Sequence, residues 1–236
     1  LYDYPKSYEL TDKLINLYGM EKLLYPETLP SEGKYIIKEI QNIPHWQGYY
    51  EQVLAHLRGT GASSTAAPLF EKIREGEVWR LFTPALMHTD FLHILFNMMW
   101  LIVLGRMMED RLNARRYVLF ILIVGIISNT SQYLMSGPNF MGFSGVVCGM
   151  VAFICVRQKV APWEGYPLEQ STSMFLVYFI VALLAIELVS FYMEINHNTS
   201  ISPGIANTAH ITGAAIGALL GFIPFFKKNN NIARPK

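Results

Sequence analysis

The sequence predicts an all-α polytopic membrane protein, and three observations support this fold class. Of 236 residues, 52% are hydrophobic and only 16% are charged, against about 25% charged residues in typical soluble proteins. The apolar residues gather in runs after Phe91, and several runs approach the ~20 residues that a helix needs to cross a bilayer. Lys and Arg occur only in alternate connections between these runs, as in a chain that crosses a membrane repeatedly.

The composition also excludes several function classes. A formal net charge of +1 offers no basic field for nucleic acid. Two cysteines are too few for a disulfide scaffold or a zinc-thiolate cluster, and the sequence has neither a His-Glu-x-x-His motif nor a phosphate loop. We therefore expect no nucleic-acid partner, no metal and no cofactor.

Residues 1–76 are predicted to form a polar, partly helical segment outside the membrane. Residues 1–90 carry nine Lys/Arg and twelve Asp/Glu, and residues 1–76 contain no apolar run long enough to cross a bilayer. The stretch Tyr49–Leu57 has the pattern of a short amphipathic helix. It could lie on the membrane surface or cover a cavity.

Five transmembrane helices are predicted from the apolar runs, at 91–108, 117–135, 144–156, 173–193 and 207–226. The run 144–156 is the exception in length, since its 13 residues extend for only about 20 Å. Either this helix does not cross the membrane or it begins below the membrane surface.

The Lys/Arg distribution predicts the orientation of the helices. Ten Lys/Arg follow residue 90, in the first inter-helix connection, after the short run and in the tail 227–236, whereas the connections 136–143 and 194–206 have none. Positive residues favour the cytoplasmic side. The tail is therefore predicted to be cytoplasmic, and residues 1–90 and both uncharged connections to lie outside.

Ser144 is the candidate nucleophile. It lies in Gly142-Phe143-Ser144-Gly145 at the start of the short run, where backbone N–H groups and the helix dipole can stabilise an oxyanion. The alternative is that Ser144 only caps the helix.

His210 is the candidate base, because it and His93 begin apolar runs, where ionisable residues are usually functional. His45, His56 and His197 are expected to be solvated, and His88 to be interfacial.

Small residues at four-residue spacing predict that the helices of Ser144 and His210 pack closely. They are Gly145, Gly149, Ala209, Gly213, Gly217 and Gly221. Such stripes allow membrane helices to approach each other. Both helices would run from outside to inside, so Ser144 and His210 would lie at one level within hydrogen-bonding distance, as an activated nucleophile requires. The alternative is that the glycines serve packing alone.

His93 and Asn97 share one helical face at i, i+4 spacing and can both donate hydrogen bonds to an oxyanion. The alternative is a hydrogen bond between helices. No Asp lies near His210 in these runs, which favours a Ser-His dyad over a triad. Glu187 could face the cavity, pair with a polar group or stay protonated, and Cys148 and Cys155 are interpreted as small buried apolar residues.

These motifs together resemble the rhomboid intramembrane serine proteases over residues 77–226. The resemblance rests on the motifs above and on Trp79-Arg80, Ala209-His210-x-x-Gly213 and Glu109-Asp110-Arg111. It implies a helical bundle around a water-filled cavity open to the outside, in a multi-pass protein of a bacterial inner (plasma) membrane. By similarity, the helix 173–193 would act as a lateral gate, and the substrates would be single-span membrane proteins.

The resemblance also implies roles for particular residues. Ser144 would attack the scissile carbonyl and His210 would act as base and then acid. His93, Asn97 and the Ser144 N–H would bind the oxyanion, Gly142 would keep the approach loop open, and Trp79-Arg80 would anchor the loop before the first matched span.

Three features depart from the family pattern. The usual core has six spans and five are visible here; since the sequence begins with Leu1, we expect a first span upstream. Cys148 replaces a Tyr that often stacks on the catalytic His, and Met141 replaces a common Gly.

Two other functions stay open at this point. An inactive rhomboid-like protein that binds transmembrane helices would have no need of both Ser144 and His210. A transporter or channel would need broken helices and paired charges at mid-membrane, for which Glu187 alone is available.

Overall fold

All regular structure in the described part of the chain is helical. The computed structural model describes residues 5–20, 22, 25–43, 46–59, 69–197 and 206–228. Its α-helices are α1 (Pro5–Tyr18), α2 (Ser31–Gln41), α3 (Tyr49–Leu57), α4 (Glu71–Arg74), α5 (Phe91–Glu109), α6 (Ala114–Ser136), α7 (Ser144–Val160), α8 (Gln170–His197) and α9 (Asn207–Phe222). Short 3₁₀ turns lie at Pro26–Thr28, Val78–Leu81, Thr83–Leu86, Pro162–Glu164 and Pro224–Phe226.

Side-chain caps fix where the first two long helices begin. The Oδ1 of Asp90 accepts the backbone N–H of His93 at 2.9 Å and caps α5. The Oδ1 of Asn113 accepts the N–H of Arg116 at 2.9 Å and caps α6. Such caps satisfy N–H groups that have no partner within the helix.

Helix α7 lies at the centre of the bundle, and α9, α5 and α6 pack around it. Large side chains from α6, α7 and α9 form the main core, including Phe120, Met150, Phe153, Ile154 and Leu220. Helix α8 is much less enclosed, since only 7% of its most apolar 18-residue stretch is buried inside the protein. It therefore presents most of its apolar surface to the surroundings.

Three of the five predicted spans have the length and hydropathy of membrane-crossing helices in the described residues. They are Phe91–Glu109, Ala114–Ser136 and Gln170–Met193. Helices α7 and α9 have 17 and 16 residues, fewer than the ~20 of a full span. The count of five transmembrane helices is therefore not confirmed.

Helix α7 is longer than predicted. The apolar run ends at Val156, but the helix continues to Val160 and is about 26 Å long. The expected end was wrong because Arg157, which interrupts the apolar run, is buried and paired rather than solvated.

A buried ion pair closes the end of the bundle opposite Ser144. The side chains of Arg157 and Glu164 are only 4% and 2% exposed. Arg157 donates from Nε to Glu164 Oε2 at 2.8 Å, from Nη2 to Oε1, and from Nη1 to the Gly221 carbonyl at 2.9 Å. Glu164 also accepts the Lys228 N–H at 2.8 Å. The pair thereby joins α7, the connection that follows it, and the segment after α9.

Arg111 holds the same connection from the end of α5. Its guanidinium donates to the carbonyl oxygens of Met107 at 2.8 Å, Glu164 at 3.1 Å and Gly165, and lies 4.7 Å from the centre of the Tyr166 ring.

The polar N-terminal segment contacts the opposite end of the bundle. Helix α3 forms where the amphipathic pattern predicts, and it packs against α6. Trp46 Nε1 donates to the Tyr133 carbonyl at 2.8 Å, and the Tyr50 ring lies 5.3 Å from that of Phe191 in α8. Helices α1 and α2 share a small separate cluster around Leu14, Leu29 and Ile36.

Candidate active site

Ser144 and His210 form a hydrogen bond in a largely buried position. Ser144 Oγ lies 2.6 Å from His210 Nε2, and His210 is 7% exposed. The alternative that Ser144 caps α7 is wrong, since Phe143 occupies the cap position and no side-chain capping bond forms there. The serine hydroxyl is thus directed at the imidazole.

The glycine stripes bring these two residues together, as their spacing predicts. Backbone lies against backbone where Gly213 meets Gly145 and where Gly217 meets Gly149. A Cβ added to Gly149 would lie only 3.0 Å from the Gly213 carbonyl oxygen. Since residue numbers rise together along both helices, α7 and α9 are parallel, and their first turns lie at one level.

A buried glutamine holds the start of α9. Gln132 Oε1 on α6 accepts the backbone N–H of Ala209 at 3.0 Å. This bond satisfies one of the N–H groups left open at a helix start and fixes the residue before His210. This contact was not predicted from the sequence, although an amide side chain inside an apolar run was a usable signal, because an unpaired amide is costly there.

His210 has a serine partner but no carboxylate partner among the described residues. Its Nδ1 is buried and makes no hydrogen bond there. The arrangement is thus that of a dyad rather than of a Ser-His-Asp triad.

Gly142, His93 and Ser144 surround one small space in front of the dyad. Gly142 has φ +122°, and a Cβ there would lie 2.7 Å from His93 Nε2 and 3.8 Å from Ser144 Oγ. Only glycine combines this backbone angle with such a close approach. The Gly142 N–H donates to the Pro84 carbonyl at 3.0 Å, which holds the approach loop in place.

Asn97 lies one turn behind His93 and is buried. Its Nδ2 donates to the His93 carbonyl at 3.0 Å, within its own helix. This hydrogen bond of Asn97 therefore does not join two helices, as the alternative interpretation had expected. One of the two amide N–H groups is used in it, and the other remains as a possible donor.

A comparison with protein-family models matches the Rhomboid domain over residues 75–226. The matched region covers more than half of the chain and contains both members of the dyad. The chain belongs to the rhomboid family. Rhomboids are in general intramembrane serine proteases, although inactive rhomboid-like members exist. This rhomboid is therefore a membrane protein of an intramembrane-protease family.

The loop before α5 of this rhomboid is anchored by residues other than those expected. Trp79 is exposed, and Arg80 forms a local ion pair with Glu77 at 2.5 Å. Asn129 on α6 helps to hold this loop, since its amide donates to the carbonyl oxygens of Leu81 at 3.0 Å and Phe82 at 3.3 Å.

His88 lies beside the site rather than on an open surface. Its ring is 5.0 Å from that of His93, and both of its nitrogens are buried without a hydrogen bond among the described residues. Burial, and next the proximity of His93, lower the pKa of His88 below its usual value.

The structure describes the side chains of only some of the other residues singled out in the sequence. Cys148 and Cys155 are free and partly buried, and Met141 is partly buried beside Gly142. Glu187 belongs to α8, but its side chain is outside the described part of the chain, as is His45.

Proposed function

We propose that this rhomboid is an active intramembrane serine endopeptidase that cleaves transmembrane segments of membrane proteins. The observation that carries the proposal is the 2.6 Å bond between Ser144 Oγ and His210 Nε2. A protein that only binds helices gains nothing from a nucleophile hydrogen-bonded to a base. The proposed chemistry needs neither a metal nor a cofactor.

In the proposed reaction, the Ser144 hydroxyl attacks the scissile carbonyl and its proton passes to His210 Nε2. His210 then protonates the leaving amine, and water releases the acyl group through the same base. The Ser144 N–H, the second Asn97 N–H and His93 would bind the tetrahedral oxyanion. Because Gly142 has no side chain, the space between it and His93 is open, and this oxygen would lie there.

The proposed substrates are single-span membrane proteins that enter between helices from the lipid. Helix α8 supports this proposal, because it is the least enclosed of the long helices and its exposed side chains are mostly apolar, among them Phe175, Phe179 and Leu188. Movement of such a loosely packed helix could admit a substrate segment, as lids do in other enzymes.

The proposed location is a bacterial inner membrane, with the site facing outside and residues 227–236 in the cytoplasm. The complete absence of Lys and Arg from the connections 136–143 and 194–206 supports this orientation. Residues 1–76 would then form an outer segment that precedes the catalytic region 77–226.

Covalent labelling tests the proposal. A fluorophosphonate should add one phosphonyl group to the purified protein, and Ser144→Ala and His210→Ala should remove the labelling. Ser171→Ala, which changes an exposed serine at the start of α8, should label like the wild type. If the protein is instead an inactive rhomboid-like helix binder, neither the wild type nor any of the three variants should be labelled.

A further inference from the structure

The stretch of chain just before α3 lies backbone against backbone on the end of α6. A Cβ on Gly48, whose φ is +95°, would overlap the Met135 carbonyl oxygen, and a Cβ on Gly137 would lie 2.7 Å from the Trp46 carbonyl oxygen. Glycine is the residue that permits such an approach at a positive φ. Trp46 is buried and adds the hydrogen bond from its Nε1 to the Tyr133 carbonyl. This stretch is therefore firmly seated on α6.

The same stretch reaches α8 at the start of α3. Tyr50, in the first turn of α3, and Phe191, near the C-terminal end of α8, are both partly buried. Their ring centres are 5.3 Å apart, with an angle of 58° between the ring planes. This separation falls within the range of ~4.5–7 Å for interacting aromatic pairs. Helix α8 is thus tied to α6 through Tyr50.

Phe191 differs from other aromatic side chains of α8. Phe175, Phe179 and Tyr192 are each more than half exposed, and only 7% of the most apolar 18-residue stretch of the helix is buried inside the protein. Because α8 has so little buried surface, one aromatic contact near its end contributes substantially to holding that end in place.

We propose that residues 46–50 restrain the C-terminal end of α8 through the Tyr50–Phe191 contact, and that this contact breaks when a substrate helix enters. The inference rests on the proposed protease function, in which α8 moves to admit the substrate. It is independent of the family match, because residues 46–50 precede the matched region 75–226.

The restraint lowers the fraction of molecules in which α8 is displaced. A substrate that binds only this fraction has an apparent affinity reduced in the same proportion. An aromatic pair stabilises the state that contains it enough to change such a population about two- to tenfold. Loss of the contact should therefore raise kcat/KM for a transmembrane substrate by this factor.

Tyr50→Ala and Phe191→Ala remove the contact from either side, and cleavage of a single-span substrate in proteoliposomes measures the effect. Each variant should raise kcat/KM about two- to tenfold. The double variant should raise it no further, because the same contact is lost in all three proteins. Leu57→Ala, which changes an exposed side chain at the end of α3, is the control and should cleave like the wild type.

Fluorophosphonate labelling separates substrate entry from the state of the site. The probe is small and water-soluble, so it should reach Ser144 from the aqueous side without displacing α8. Its labelling rate should be the same in the wild type, Tyr50→Ala and Phe191→Ala. A contact that served only to fold the site would instead lower labelling and the melting temperature together.

Three results would overturn the inference while leaving the protease intact. The first is an unchanged or lower kcat/KM in either single variant. The second is an effect of the double variant equal to the product of the two single effects, and the third is a change in labelling as large as the change in cleavage. If the wild type cleaves no better than Ser144→Ala, the proposed function itself fails, and the restraint on substrate entry fails with it.

Discussion

Ser144 Oγ and His210 Nε2 are 2.6 Å apart because each side chain occupies the first turn of one of two parallel helices in backbone contact. The glycines at Gly145 and Gly213 allow that contact one residue after Ser144 and three residues after His210. The positions of the proposed nucleophile and base are thus set by helix packing rather than by a flexible loop.

Substitution of Gly217 should separate the two helices. A Cβ at this position would overlap the carbonyl of Gly149, and overpacking of this kind costs roughly 1–3 kcal/mol of folding free energy. Gly217→Val should lower the melting temperature and reduce fluorophosphonate labelling. Ala215→Val, on the exposed side of the same helix, is the control, and an equal effect in both variants would argue against the packing explanation.

Substitution of Gly142 should affect turnover more than folding. Gly142→Ala puts a methyl group 2.7 Å from His93 Nε2 at a φ of +122°, where the proposed oxyanion would lie. We expect kcat to fall by about 10²-fold, comparable to the loss of one oxyanion donor, with circular dichroism unchanged. A wild-type rate in this variant would move the oxyanion site away from Gly142.

Breaking the buried ion pair should destabilise the end of the bundle opposite the dyad. Removing one partner of such a pair leaves a buried unpaired charge and costs about 3–5 kcal/mol. Arg157→Met and Glu164→Met should each lower the melting temperature strongly. The double variant Arg157→Met/Glu164→Met should recover much of the loss. Additive effects of the two substitutions would mean that the residues act independently.

The outer segment should loosen when Trp46 loses its hydrogen bond. Trp46→Phe keeps an aromatic ring but removes the 2.8 Å hydrogen bond to the Tyr133 carbonyl, a loss of about 0.5–1.5 kcal/mol, since that carbonyl still accepts the Gly137 N–H. Limited proteolysis should cut residues 46–57 faster than in the wild type. Equal cleavage rates would show that other contacts hold this segment.

The sequence predicted the dyad because its determinants are local and periodic. Gly145, Gly149, Gly213 and Gly217 recur at the helical repeat, and ionisable residues stand out within apolar runs. Features that depend on side-chain partners outside the helix concerned were missed. The length of α7 follows from the pairing of Arg157 with Glu164 in the next connection, and the anchor of α9 follows from Gln132 on another helix.

The five predicted spans differ in how well composition alone identifies them. Length and hydropathy identify α5, α6 and α8 from composition alone. Helices α7 and α9 are shorter and rich in glycine, because close packing with each other replaces long apolar side chains on their shared face. The apolar runs therefore located both helices, while the count of five full spans is not confirmed.

Cleavage of a single-span substrate in proteoliposomes is the decisive test of the proposed Ser144–His210 mechanism. Purified wild-type protein and the Ser144→Ala and His210→Ala variants would be reconstituted with the same substrate, and the products identified by intact mass. We expect cleavage within the transmembrane segment by the wild type and none by either variant. Cleavage that persists in Ser144→Ala would show that the proposed mechanism is wrong.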